Sequence, residues 1–303
     1  MLTIRIGNLT FASPVLTASG TFGYGDEVSD LVNVDLLGGI VTKSVTLHPR
    51  EGNPPPRISE TPFGMLNSIG LANVGVEKFC KEKLPKFKKM DTHVFVNIAG
   101  YAIGDYVETL ERIEVEDSTI SGYEINVSCP NVKKGGMQFG VDPKLTEQLT
   151  RALRDKTDKI LILKLSPNVT KIEDIAQAAV AGGADMISAI NTVVGMGIDI
   201  ATRRPSLNTV FGGLSGPAIK PIALANIHKI YKSVSVPIIG IGGISSAKDA
   251  IEFMLAGADL VQVGTSNFIN PAIGINIISE LKSYCEKENI KSLHDIKGKL
   301  EYQ

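Results

Sequence analysis

The chain has 303 residues, a formal net charge of −1, 43% hydrophobic residues and 21% charged residues. This composition is that of an ordinary globular protein and lacks the basic surplus of a nucleic-acid-binding protein. No apolar run is as long as the roughly 20 residues that span a membrane, and the three cysteines are too scattered to predict a disulfide framework or a metal site. The sequence therefore predicts a cytoplasmic protein without nucleic-acid or membrane partners.

Residues 2–11 predict a hairpin that turns at Gly7-Asn8, and we expect it to close the bottom of the fold that follows. The alternation of apolar and polar residues over positions 1–6 indicates a strand and not a signal peptide. Eight short apolar runs come next, in the pattern of parallel strands that are covered on both faces. These runs span residues 14–18, 39–44, 93–99, 123–128, 160–165, 186–191, 236–240 and 260–264.

Helix-length segments separate the apolar runs. Residues 171–181 carry apolar side chains at helical spacing, and Ser245-Ser246 supplies an N-cap for a helix over residues 247–255 that Gly257 would end. Eight such units without a second compositional block predict one α/β domain over residues 1–303, a (β/α)8 TIM barrel with an N-terminal hairpin and long active-face loops. A doubly wound open sheet is the alternative layout.

Three connections that follow predicted strands are long and rich in glycine, proline and polar residues. They span residues 45–67, 130–143 and 192–216. Loops of this length within a compact domain are usually functional or disordered. Because loops after the carboxyl ends of barrel strands form the active face, we expect a ligand among them.

Glycines follow the last two predicted strands at once, as Gly242-Gly243 and Gly264-Thr265. Their free N–H groups suit an anion, and barrels bind phosphate at these two strands. The alternative is that these glycines only make tight turns. The pair favours a phosphate site but does not distinguish FMN from a sugar phosphate.

Polar side chains stand at the ends of otherwise apolar strands: Lys43, Asn97, Asn126, Lys164 and Asn191-Thr192. Burying such groups without partners costs roughly 2–7 kcal/mol each on the harsher scales, so their convergence favours a polar ligand over pairing among themselves or exposure to solvent. Two lysines with no carboxylate beside them favour an anionic ligand or a reduced flavin. A lysine near the flavin N1–C2=O region can stabilise the charge that hydride transfer creates there, and Lys164 is the candidate.

Cys129 lies just past the fourth predicted strand, beside the glycine-rich residues 135–140. A free cysteine is more often a small buried hydrophobe than a catalyst. The position of Cys129 on the active face favours a thiolate that acts as nucleophile or base. Cys80 and Cys285 fall on charged helical segments, and we interpret both as structural.

The motif Asn126-Val127-Ser128-Cys129-Pro130-Asn131 closely resembles the catalytic segment of class 1 dihydroorotate dehydrogenases. Further collinear motifs carry the resemblance along nearly the whole chain: Ala18-Ser19-Gly20, Phe22-Gly23, Lys43-Ser44, Gly52-Asn53-Pro54-Pro55-Pro56-Arg57, Asn67-Ser68-Ile69-Gly70-Leu71, Asn191-Thr192, Gly242-Gly243 and Gly264-Thr265. Residues 133–140 resemble the class 1B branch in particular.

The resemblance implies oxidation of (S)-dihydroorotate to orotate in de novo pyrimidine (UMP) biosynthesis, with one FMN per chain. Cys129 would remove the C5 proton while C6 gives a hydride to flavin N5, and residues 131–140 would close as a lid. The implied substrate-binding residues are Lys43, Asn67, Ser68, Ile69, Gly70, Leu71, Asn126, Asn131, Asn191 and Thr192. The implied FMN-binding residues are Ser19, Gly20, Lys43, Ser44, Asn97, Asn126, Lys164, Ile190, Gly216, Gly242, Gly243, Gly264 and Thr265.

The resemblance also implies a partner subunit that carries FAD and a [2Fe–2S] cluster and passes electrons to NAD⁺, in a heterotetramer of two catalytic and two electron-transfer subunits. Such a cluster needs four cysteine ligands, and this chain has three cysteines. Alternatives are a class 1A-type fumarate-dependent dihydroorotate dehydrogenase or another FMN-barrel pyrimidine oxidoreductase. A flavin-free phosphate-binding isomerase or aldolase and a non-catalytic scaffold are further alternatives.

Overall fold

The computed structural model describes residues 1–28, 30–116, 119–128 and 139–302. Within these residues, eight parallel strands close into a barrel, which confirms the predicted TIM-barrel fold and shows that the open-sheet alternative is wrong. The strands are β1 (Val15–Thr17), β2 (Gly39–Val41), β3 (His93–Ile98), β4 (Gly122–Asn126), β5 (Ile160–Leu165), β6 (Met186–Ala189), β7 (Ile238–Ile241) and β8 (Leu260–Val263).

Each strand of the barrel pairs with its neighbour in sequence, and β8 pairs with β1 to close the ring, Gln262 opposite Leu16. Strand β5 has its predicted bounds, whereas most other strands end one to three residues before the predicted end. The residues beyond them leave the strand ladder to line the mouth. Lys43, for example, donates its backbone N–H to Gly23 O (2.8 Å).

The described residues contain eight α-helices: α1 (Val76–Glu82), α2 (Ile103–Glu116), α3 (Pro143–Arg154), α4 (Ile172–Ala181), α5 (Lys220–Ser233), α6 (Ala247–Ala256), α7 (Ser266–Ile269) and α8 (Ile273–Lys287). Short 3-10 helices span Asp26–Val28, Val34–Leu36, Leu84–Lys89, Phe139–Val141, Pro217–Ile219 and Leu293–Ile296. Helix α6 begins as predicted, because the Ser246 side chain accepts the Asp249 N–H and Gly257, at φ 124°, ends the helix. None of the helices within the described ranges has both the length and the hydropathy to cross a bilayer.

The first connection between barrel strands differs from the other six, because its described residues form only the 3-10 helices Asp26–Val28 and Val34–Leu36. Helix α8, from the end of the chain, covers β1 instead. Gly274 of this helix lies so close to Leu37 and Val15 that a Cβ built on it would stand 2.9 Å from a Leu37 methyl carbon. The seam between the first and last strands is therefore closed by the last helix.

The predicted N-terminal hairpin is present and seals one end of the barrel. Its strands Ile4–Ile6 and Leu9–Phe11 pair antiparallel. Their buried side chains pack in one cluster with residues from the beginnings of the barrel strands, among them Leu16, Phe95 and Leu260. We call this end of the barrel the floor, and the opposite end, where the strands finish, the mouth.

Two of the three long connections are ordered parts of one outer sheet rather than irregular loops. Its strands run in the order Val193–Met196, Phe211–Ser215, Gly64–Asn67 and Ile58–Thr61, all antiparallel, and a two-stranded ribbon pairs Ile198–Asp199 with Arg204–Pro205. The sequence did not indicate these strands, because the pairing that joins the two connections links residues 65–67 to residues 213–215, more than 100 positions away. The sheet brings Asn67 opposite Gly213, above the mouth.

Candidate active site

The predicted polar residues of the strand ends all lie at the mouth. Asn97 and Lys164 are buried within β3 and β5, and Asn126 is the last residue of β4. Lys43 follows β2, and Asn191-Thr192 follows β6. These side chains share one end because the strands are parallel, so residues at equal depth in each strand meet at the same level.

Hydrogen bonds join the predicted residues across the mouth. Ser44 Oγ donates to Asn97 Oδ1 (2.5 Å), and Lys164 Nζ donates to Ser19 Oγ (3.1 Å). On the far side, Asn191 Nδ2 donates to Asn126 Oδ1 (3.3 Å). Thr192 N–H donates to Asn191 Oδ1 (2.8 Å), and Thr265 Oγ1 donates to Ser215 Oγ (2.8 Å). The polar residues of the mouth therefore form several small hydrogen-bonded groups.

A buried carboxylate, Glu124 of β4, lies directly below this set. It has no exposed surface and accepts hydrogen bonds from Asn97 Nδ2 (2.8 Å) and Gln262 Nε2 (2.8 Å), with Lys164 Nζ at 3.6 Å. This corrects the expectation that the two lysines have no carboxylate beside them, because Lys164 has one. The signal was present in the sequence, since Glu124 is a charged residue in the middle of an apolar strand.

Lys43 is the cation that stays unpaired. It is half-buried, and among the described residues no carboxylate or hydrogen-bond acceptor binds its Nζ. Burial, and then the positive charge of Arg57, lower the pKa of Lys43 below its usual value. Arg57, which sequence reasoning noted only as part of a motif, therefore adds a second positive charge on this side of the mouth. The pair suits an anion.

The segment from Asn67 to Leu71 forms a turn beside the outer sheet. Asn67 Nδ2 donates to Gly213 O (3.3 Å), and the buried Ser68 Oγ has no partner among the described residues. Gly70 and Leu71 both have positive φ, 76° and 58°, and a Cβ on Gly70 would lie 2.7 Å from the Asn53 backbone N. Glycine is therefore required at position 70, where this turn packs on the neighbouring loop. The backbone carbonyl of Ile69 accepts the Asn53 N–H at the same contact (3.0 Å).

The predicted phosphate end gathers turns that follow β6, β7 and β8. A Cβ on Gly243, at φ 77°, would stand 3.0 Å from Gly216 O, and one on Gly242 would stand 3.5 Å from Ile190. In contrast, a Cβ on Gly264 would meet only the Ala18 Cβ, at 3.5 Å, and one on Gly20 would meet nothing within 4 Å. Gly20 therefore faces open space and Gly264 is only lightly covered, which leaves room for a bound anion.

Cys129 and Asn131 lie outside the described residues, as does the predicted lid as far as residue 138. The described residues on either side are held together beside β4. Gly140 N–H donates to Val127 O (3.1 Å), and Tyr106 Oη donates to Asn126 O (2.8 Å) while its ring packs edge-on against Phe139. Both ends of the segment that contains Cys129 are therefore fixed at the mouth.

The other two cysteines lie away from the mouth: Cys80 is on α1 and Cys285 is on α8. Burial raises the pKa of the Cys285 thiol, so it stays protonated at neutral pH. No three histidine, cysteine, aspartate or glutamate side chains cluster as metal ligands in the part of the chain that the structure describes.

Comparison with known proteins relates the chain to one family over nearly its whole length. Residues 1–285 match the family model described as dihydroorotate dehydrogenase. A Bacteroides fragilis protein named dihydroorotate dehydrogenase B (NAD(+)), catalytic subunit, is 52% identical over 300 residues, 99% of each chain. Relatives of the same name from Alkaliphilus oremlandii (50% over 297 residues, 98% of each chain) and a Thermoanaerobacter species (48% over 299 residues, 99% of this chain and 98% of the relative) are similar throughout.

Proposed function

The chain belongs to the dihydroorotate dehydrogenase family, and from that premise we propose that it oxidises (S)-dihydroorotate to orotate in UMP biosynthesis. The observation that carries the proposal is the 48–52% identity along essentially the whole chain to catalytic subunits of that name. Residues 1–303 act as a single FMN-binding domain. The similarity extends over every barrel strand, so the proposal does not depend on one motif.

FMN fits the residues at the mouth. The open space at Gly20 and the turns at Gly216, Gly242-Gly243 and Gly264 suit its phosphate, with Thr265 beside them. When bound, FMN supplies a ring that accepts a hydride. Ser19, Ser44, Asn97, Asn126, Lys164 and Ile190 hold that ring, and the Lys164 ammonium favours negative charge on it.

The substrate is a flat pyrimidine with a carboxylate, and the other side of the mouth has matching groups. Lys43, half-buried and near the positive charge of Arg57, neutralises the carboxylate. Amide and hydroxyl groups bind the pyrimidine N–H and C=O groups, and the turn at residues 69–71 positions them. This set is Asn67, Ser68, Asn126, Asn131, Asn191 and Thr192, with Ile69, Gly70 and Leu71 in the turn.

Cys129 is the catalytic base. Its thiolate takes the proton from C5 of dihydroorotate as the hydride leaves C6 with its electron pair, which creates the C5–C6 double bond of orotate. The segment at residues 131–140 closes over the substrate and excludes water. The hydrogen bonds of Asn126, before this segment, and of Gly140, at its end, support its location beside β4.

Electrons leave the chain through a second subunit. The relatives' names describe a catalytic subunit of an NAD(+)-linked enzyme, which supports an electron-transfer partner. We place FAD and a [2Fe–2S] cluster on that partner, because the three cysteines of this chain cannot supply four ligands. The assembly is a cytoplasmic heterotetramer of two catalytic and two electron-transfer subunits.

An anaerobic titration tests the proposal. The purified chain is reconstituted with FMN and mixed with dihydroorotate. The visible absorption band of the oxidised flavin is followed, and the orotate formed is quantified. We expect bleaching of the flavin with one orotate formed per FMN. A flavin that stays oxidised in excess dihydroorotate would contradict the proposed reaction.

The electron acceptor is tested with the same protein. Without its partner the chain should not reduce NAD⁺, and addition of the electron-transfer subunit should restore NAD⁺ reduction. Rapid reoxidation of the bleached protein by fumarate instead of NAD⁺ would favour the class 1A-type alternative.

A further inference from the structure

Glu124 is a group that the reaction itself does not use. Its carboxylate is fully buried inside the barrel, and it is the one acidic side chain with no exposed surface among the described residues. An unpaired carboxylate in such a place costs several kcal/mol. Glu124 therefore needs hydrogen-bond or ion-pair partners inside the barrel.

Four other strands supply the partners of Glu124. Asn97 Nδ2 (2.8 Å) donates to Oε1, and Ser188 Oγ (3.0 Å) and Gln262 Nε2 (2.8 Å) donate to Oε2. Lys164 Nζ stands 3.6 Å from Oε1. The carboxylate is therefore the centre of a polar layer that crosses the barrel immediately below the mouth.

Two of these partners are residues that we assign to the flavin ring. Because Asn97 donates its Nδ2 downward to Glu124, its Oδ1 is turned up toward Ser44. Lys164 lies between Glu124 and Ser19, so its ammonium is held at the underside of the ring site. Moreover, the buried negative charge of Glu124 offsets part of the positive charge that Lys164 presents to the ring.

We propose that Glu124 is a positioning residue that fixes Asn97 and Lys164 under the flavin and, by its charge, lowers the redox potential of the bound FMN. The inference rests on the proposed binding of FMN at the mouth. A buried negative charge behind Lys164 weakens the stabilisation of the reduced, anionic ring, which makes the reduced enzyme a better electron donor.

The test replaces the carboxylate by its neutral isostere, Glu124→Gln, in the FMN holoprotein. The surrounding groups can accommodate an amide at position 124. Gln262 Oε1 has no partner in the described structure, and rotation of the Gln262 amide lets this oxygen accept a hydrogen bond from the introduced amide. The midpoint potential of bound FMN is measured by anaerobic dye equilibration, together with the dissociation constant of oxidised FMN. We expect reduced FMN to be favoured roughly tenfold, an upward shift of about 30 mV for a two-electron couple.

Glu114→Gln is the matched control. Glu114 also forms a carboxylate–lysine pair, with Lys159 at 2.7 Å, but it lies at the floor near the beginnings of β4 and β5. This variant should leave the potential within a few millivolts of the parent, since screening reduces a charge effect across the barrel's length. A purely structural role for Glu124 predicts weaker FMN binding with an unchanged potential, and that result would overturn the proposal.

If Glu124→Gln does not retain FMN, the comparison is made between Lys164→Gln and the double variant Lys164→Gln/Glu124→Gln, which leaves no buried charge unpaired. The double variant must have the higher potential, by a similar factor. Equal potentials in that pair would also overturn the proposal. A parent protein that binds no FMN contradicts the proposed function, whereas an unshifted potential in a flavin-loaded variant contradicts only the role of Glu124.

Discussion

At the floor of the barrel carboxylates form ion pairs and the buried apolar side chains of the hairpin are covered. Glu114 binds Lys159 (2.7 Å), and Phe11 of the hairpin has no exposed surface. At the mouth, Lys43 forms no ion pair and the buried Ser68 Oγ has no hydrogen bond within the described residues. The two ends share the same strands, so the difference comes from which residues stand at either end of each strand. The floor serves stability, whereas the mouth keeps groups unpaired for ligands.

The largest effect is expected at Cys129, which we propose acts at the mouth. Cys129→Ser should lower the turnover number by roughly 10²–10⁴-fold, because a hydroxyl ionises far less readily than a thiol and is a poor base. Stability and FMN content should not change. Anaerobic stopped-flow reduction by dihydroorotate over a range of pH measures the effect, and the parent rate should rise with pH. Near-parent turnover at neutral pH would remove Cys129 from the mechanism.

The corresponding change at the floor is Phe11→Ala. Loss of a fully buried phenyl ring should lower the free energy of unfolding by about 3–5 kcal/mol. Urea unfolding measures this, with Val115→Ala on the exposed surface of α2 as a control that should change little. At a temperature where the variant is folded, its midpoint potential should match that of the parent. A variant of parental stability would show that the hairpin does not hold the floor together.

A smaller effect is expected at Lys43. Lys43→Met keeps the length of the side chain but removes the charge that meets the substrate carboxylate, so the KM for dihydroorotate should rise roughly tenfold to a hundredfold. Lys78→Met, on the exposed face of α1, is the control and should leave the KM unchanged. An unchanged KM in the Lys43 variant would place the substrate carboxylate elsewhere.

The smallest effect is a pH dependence at the floor. Burial opposes ionisation of Glu114, but the hydrogen bonds from Lys159, Thr157 and Tyr123 outweigh it and lower the pKa of Glu114 below its usual 4.5. A lowered pKa contributes stability above the unfolded value that is lost as pH falls through the folded value. The Tm difference between the parent and Glu114→Gln should therefore shrink below pH 4.5. A difference that is constant from pH 7 to pH 3 would contradict this, and activity at pH 7 should be equal in both.

The barrel could be predicted from the sequence because parallel strands buried on both faces appear as apolar runs, as β5 does from Ile160 to Leu165. The outer sheet could not, since residues 58–67 and 193–215 pair with each other across a long stretch of chain and neither half shows a local pattern. That the described residues of the first connection form no α-helix was equally hidden, because α8 covers β1 from far along the sequence.

The site was predictable where a residue type is conspicuous for its position. Lys43 and Lys164 stand out at the ends of apolar strands, and the structure places both at the mouth. Which lysine is already neutralised was not predictable, because the partner of Lys164 is Glu124 on the adjacent strand β4, and only strand register reveals that contact. Arg57 was missed as a second cation for the same reason, since its proximity to Lys43 depends on the fold of the loop between them.

The closure of β8 against β1 beneath α8 sets an order of events during synthesis. The ring of strands can close only after β8 has been made, because its partner β1 lies 246 positions earlier in the chain (Val261 pairs with Val15). The proposed flavin cradle is divided across that same joint, with Gly20 on one side and Gly264 on the other. The two halves of the proposed cradle therefore meet only when this last pairing of strands has formed.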